Sequence, residues 1–146
     1  MQTLESLLQA FAKRTHARWW IGKRPDVREG QLAKTIAGKV GYPTAQIDPF
    51  AIGGMAPLNW QQAAHVLAVA GATSLVYGGC LPPEGRAKDA AMALKDLMGN
   101  AKFFGNGFWE IGGPSQWIPL SSATFDCGII GYDSENAFIF WVEEED

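Results

Sequence analysis

The chain has 146 residues, 47% hydrophobic and 18% charged, which suits one domain with a real core and excludes a disordered default. No apolar run reaches the roughly 18 residues of a membrane-crossing helix, so none is expected. The net charge of −3 hides a division: all twelve Lys and Arg lie at or before Lys102, against seven acids there, while residues 103–146 hold eight acids and no base.

The N-terminus, MQTLESLLQAFAKRTHARWW, has no basic stretch ahead of an apolar core. It therefore reads as a helix and not as a secretory signal, and the expected compartment is the cytoplasm. Leu4, Leu7, Leu8, Phe11 and Thr15 recur at helical spacing over 3–18, with Lys13, Arg14 and Arg18 on the other face. "WWIGKRPD" breaks this helix at Gly22 and Pro25. A second helix is predicted over 29–40, with Leu32, Ile36 and Val40 inward and Gly41 as its stop. "GYPTAQIDPFAIGGMAPLN" is too rich in Pro and Gly for regular structure.

Asn59 and Gln62 have the spacing of a capping box, which opens a helix from Trp60 to about Ala70. "TSLVYGG" reads as a short strand. A last helix is predicted over 84–98, with Ala87, Ala91, Leu94 and Met98 on one stripe and Gly99 ending it. Beyond residue 100 the period falls from 3.6 to 2: "GFWEIGG", "SQWIPLS", "TFDCGIIGY" and "NAFIFWV" read as four strands, with "YDSEN" a hairpin loop between the last two. In the last of them Phe138, Phe140 and Val142 share one face, and Ile139 and Trp141 the other. A strand apolar on both sides is covered on both. The expected fold is thus a single α+β domain over 1–146, with a mainly helical part (1–100) packed on a C-terminal antiparallel meander of about four strands (101–146).

No catalytic motif emerges. Cys80, in "YGGCLPP", stands where a nucleophile elbow could, with His65 or His16 as the base, but nothing adjacent supplies the cationic neighbour that would activate a thiol. Cys80 and Cys127 lie far apart without a CxxC, which favours reduced thiols. Two His and two Cys in four separate places give no zinc spacing, and "AIGGMAP" lacks the Lys and Ser/Thr of a phosphate-binding loop, so neither metal nor cofactor is expected. "AKTIAGKVGYPTAQIDPF" resembles a helix-turn-helix for about twenty residues, within a basic stretch over 13–50. Pro49, however, falls inside its recognition helix, and the acidic C-terminal third would repel a duplex. Nucleic acid is therefore an unfavoured partner.

The ending "FDCGIIGYDSENAFIFWVEEED" combines a strand, an acidic hairpin, a final aromatic strand and terminal acids. In this layout it resembles the small immunity proteins encoded beside bacterial secreted toxins. That resemblance implies a cytoplasmic, single-partner inhibitor that binds a cognate toxin and occludes its basic active site, carboxylates standing in for phosphates. The expected contact surface is Asp126, Asp133, Glu135, Trp141, Glu143, Glu144, Glu145 and Asp146. Trp109 and Trp117 are further candidate anchors. Neutralising the acids is expected to leave the fold intact and abolish binding.

Overall fold

A computed structural model describes residues 3–75, 82–97, 100–109 and 117–145. Its elements in chain order are α1 (Leu4–Arg14), β1 (Arg18–Lys23), α2 (Glu29–Gly38), β2 (Ala56–Leu58), α3 (Trp60–Ala72), α4 (Arg86–Leu94), β3 (Lys102–Gly105), β4 (Phe125–Tyr132) and β5 (Asn136–Glu144). The strands form one sheet in the order β1-β5-β4-β3-β2, every neighbouring pair antiparallel. The fold is α+β, with five strands where four were expected.

Helices α1 and α3 start at capping boxes. Thr3 accepts from the Ser6 N–H while the Ser6 hydroxyl accepts from the Thr3 N–H, which opens α1. Asn59 and Gln62 exchange the same pair of bonds at the head of α3, an arrangement that contributes about 1 kcal/mol. The Leu4 N–H finds the Asp96 carboxylate at 2.7 Å, so an acid from beyond α4 also serves the positive end of α1.

β5 separates two cores. Phe138, Phe140 and Val142 pack with Leu7, Phe11, Leu67 and Leu94 from α1, α3 and α4. Ile139 and Trp141, on the opposite face, pack with Leu32 and Ile36 of α2 and with Tyr42 and Leu120 from the loops beyond. The two-sided strand is covered on both sides by its own chain.

The sheet recruits strands from well before residue 100. "WWIGK", expected only as a break, is the edge strand β1: α1 stops at Arg14, and Trp19, Trp20 and Ile21 have the strand preference of their types. β2 hides in the Pro/Gly passage, because an edge strand tolerates Pro57. The segment 107–109 and the segment 117–121, expected within strands, are irregular where described. The rest of those two expectations, most of "TSLVYGG", and Met98 and Gly99 lie outside the described residues. After α2, Gly41 at φ 87° turns the chain, and 45–54 is a succession of turns with no second helix for a helix-turn-helix.

Candidate interaction surface

Glu143, Glu144 and Glu145 each bond to other parts of the fold. Glu143 accepts from the Tyr42 hydroxyl at 2.7 Å and faces the Arg18 guanidinium at 3.4 Å. Burial first, and then the Glu143 carboxylate, push the Tyr42 phenol far above its ordinary range. Glu144, pointing to the other side, accepts from the Ser74 hydroxyl and the Leu75 N–H, both at 2.6 Å, and so fastens the segment that leaves α3. Glu145 accepts from the Thr124 hydroxyl at 2.5 Å. Asp146 lies outside the described residues.

Asp126 is 0% exposed and sits at the centre of a buried network. Its carboxylate accepts from the Trp141 indole at 3.0 Å, the Asn106 amide at 2.8 Å, the Leu120 and Ser121 N–H groups at 3.1 Å each and the Ser121 hydroxyl at 3.0 Å. Burial pushes its carboxyl above the usual carboxylate range, while the donors from Trp141, Leu120 and Ser121 act in the opposite direction. Asp133 is also buried, where its carboxylate accepts from the Glu135 and Asn136 N–H groups at 2.7 Å and shapes the β4–β5 hairpin.

The expected acidic surface is corrected accordingly. Asp126, Asp133 and Trp141 are interior, and Glu143 and Glu144 are half-buried and hydrogen-bonded. The exposed acids Glu135 and Glu145 stand at opposite ends of β5, roughly 30 Å apart at the rise of a strand. These residues do not converge on one patch, and removing all the acids would dismantle the Asp126 network. The candidate anchors Trp109 and Trp117 pack against one another with tilted rings, centroids 5.4 Å apart; Trp109 belongs to the core and the half-buried Trp117 packs against it.

The fold brings one edge of the basic part against the acidic last strand. β1 lies antiparallel on β5, Arg18 opposite Trp141 and Lys23 opposite Asn136. Arg18 meets Glu143, the Arg24 guanidinium donates to the Asp133 carbonyl at 2.9 Å, and Lys102 pairs with Glu29. Of these contacts, Arg18 with Glu143 joins a base of the first part to an acid of the last across β1 and β5.

What the surface does offer is apolar. Trp60 opens α3 one residue after edge strand β2 and remains 49% exposed. It stands over a groove of about 260 Å³ lined with Leu58, Leu94, Leu97 and Phe103. Lys95, also on this rim, lies one turn after Met92, and Lys88 one turn before; Met92 is 58% exposed. The result is an apolar floor, an aromatic wall and a basic rim. A second recess joins Ile47 and Ile52 to Ile118 and Pro119. A polar cleft at the end of β5 holds Arg14, His16, Glu143 and Glu144, beside the buried Thr73 hydroxyl, which has no hydrogen-bond partner among the described residues.

The sequence reading missed Trp60 because it continues the apolar stripe through Ala63, Ala64 and Leu67, and so looks like core. Only the sheet's end at β2 leaves it uncovered. Cys80 lies outside the described residues, Cys127 is buried, and the His65 ring nitrogen Nε2 lies 2.7 Å from the Trp109 carbonyl, the contact of a satisfied boundary histidine. Among the described residues no three His, Cys, Asp or Glu gather in a metal-binding group. No helix among them is long and apolar enough to cross a membrane. No family model, no curated protein and no solved structure matches the chain.

Proposed function

We propose that the protein is a single-partner inhibitor of the immunity type, acting in the cytoplasm, which grips a cognate toxin through the Trp60 groove. The observation that carries this reading is the half-exposed Trp60 over an apolar groove. A large aromatic next to a preformed recess is the usual anchor of a tight protein complex, and soluble chains seldom leave such a patch without use. Lys95 on the rim, with Lys88 two turns before it in the chain, favours a toxin surface that is apolar with acids around it. The carboxylates of the C-terminus hold β5 to its neighbours, and their part in binding is secondary.

The test uses a toxin-like product encoded beside this gene, co-expressed with the wild-type chain or with Trp60→Ala. Since Trp60 is already half in water, its loss is expected to leave the thermal midpoint within a few degrees of wild type. It should weaken the complex by about 2 kcal/mol, roughly thirtyfold in Kd, and remove protection of the cells. Undiminished protection and affinity in Trp60→Ala would sink the proposal.

A further inference from the structure

The two edges of the sheet differ. β2 has three residues, one of them Pro57, and its shortness and missing donor blunt that edge. β1 has six residues and no proline, and it carries Trp19, Trp20 and Ile21, each only partly buried. Its hydrogen-bond phase can be read from two bonds. The Arg24 N–H donates to the Glu135 carbonyl at 2.8 Å, and the Asp133 N–H to the Asn136 carbonyl at 2.9 Å. In an antiparallel ladder the bonded pairs alternate, so Gly22, Trp20 and Arg18 turn their backbone groups inward to Ala137, Ile139 and Trp141. Trp19, Ile21 and Lys23 therefore turn their N–H and C=O groups outward, along an edge that no other described strand pairs with.

We propose that this outer edge of β1 is a strand-docking site for an extended partner segment that is apolar in its middle and acidic at its ends. The inner edge of β1 already accepts such a segment. β5 runs apolar from Ala137 to Val142, with Glu135 opposite Arg24 at one end and Glu143 against Arg18 at the other. Lys23 is exposed at one end of β1, and Arg18, exposed at the other, also reaches Glu143, so the outer edge too sets an apolar middle between cationic ends. A second copy of the chain fits less well, since it would set two cationic edges along one seam. The site is separate from the Trp60 groove: β1 and β2 are the opposite margins of the sheet, four strand spacings or about 19 Å apart. Docking here therefore does not depend on the inhibitor reading.

The test measures amide hydrogen exchange of the full wild-type chain with a short synthetic peptide of alternating Val and Thr flanked by paired acids. Exchange at Trp19, Ile21 and Lys23 is expected to slow about tenfold at saturation, while Trp20 and Gly22, already bonded to β5, stay unchanged. A peptide with lysines in place of the acids should give no protection. Three outcomes would overturn the proposal: no slowing with the acidic peptide, equal slowing with the lysine peptide, or amides already protected in a chain that elutes as a dimer.

Discussion

Asp126→Ala is expected to destabilise the fold by about 3–5 kcal/mol, the scale for stripping one member from a buried charged network. The effect is large because the carboxylate gathers donors from three separate parts of the chain. Asn106 follows β3, Leu120 and Ser121 belong to the loop before β4, and Trp141 is on β5. Without the acid, the Trp141, Leu120 and Ser121 donors lose their carboxylate partner, while the Asn106 amide keeps only the Asp126 carbonyl. Denaturant unfolding would measure the loss, and a variant within about 1 kcal/mol of wild type would show the network to be ornamental.

The pH dependence has a definite sign. Burial raises the folded-state pKa of Asp126 above its unfolded value of about 3.9, so between the two the folded chain binds more protons than the unfolded one. The Asp126 contribution is therefore greatest below about pH 4 and declines as pH rises through the folded value. Subtracting the stability profile of Asp126→Asn from that of wild type isolates this decline, because the other carboxylates are common to both. A difference that rose with pH would mean that the five donors outweigh burial.

Gly128→Ala is the second large expectation, and it concerns the same structure. Gly128 lies between Asp126 and Ile130 on the face of β4 that Trp141 covers, directly opposite Trp141 in the ladder. A Cβ there would stand 2.1 Å from the Phe140 carbonyl oxygen, 2.8 Å from the Trp141 Cα and 2.6 Å from its ring. Two of these are backbone atoms in the middle of a sheet and cannot step aside. The indole reaches Asp126 only because nothing stands at Gly128, so the substitution displaces the ring and breaks its hydrogen bond together. A loss of about 3 kcal/mol or more is expected, seen as a fall in Tm of roughly 10 °C and a changed near-ultraviolet dichroism. Gly38→Ala is the control: a Cβ at that helical position meets nothing within 4 Å, and its effect should be neutral or slightly stabilising.

The sequence made some of this legible and concealed the rest for identifiable reasons. Asn59 and Gln62 announce the head of α3 because a capping box is local, needing only four consecutive residues. The two apolar faces of β5 are visible for the same reason, since a period of two needs no partner to be seen. β1 is not visible in this way. Arg18 fits the polar face of the preceding helix, and only pairing with β5, more than a hundred residues later, makes Trp19 to Ile21 a strand.

The site was harder still, because a carboxylate in a sequence carries no mark of where it points. Yet Asp126 did leave a signal. It alternates with Gly128, Ile130 and Tyr132, the face of β4 that enters the second core, and that phase marks it as interior. Glu143 and Glu144 point to opposite sides of β5 by the same alternation, which sends one to Tyr42 and the other to Ser74. Trp60 left no such signal, since the helix stripe that should bury it runs out past the edge of the sheet.

On the proposed function, Glu143, Glu144 and Glu145 serve the fold and the Trp60 groove serves the partner. Isothermal titration of the wild-type chain with its toxin-like partner, at about 50 and about 500 mM NaCl, separates the two roles. An apolar groove with one rim lysine predicts a Kd that changes by less than about threefold between the two salts, with a negative heat-capacity change. A Kd that weakens by roughly a hundredfold or more at high salt would return the contact to the acids and contradict the account.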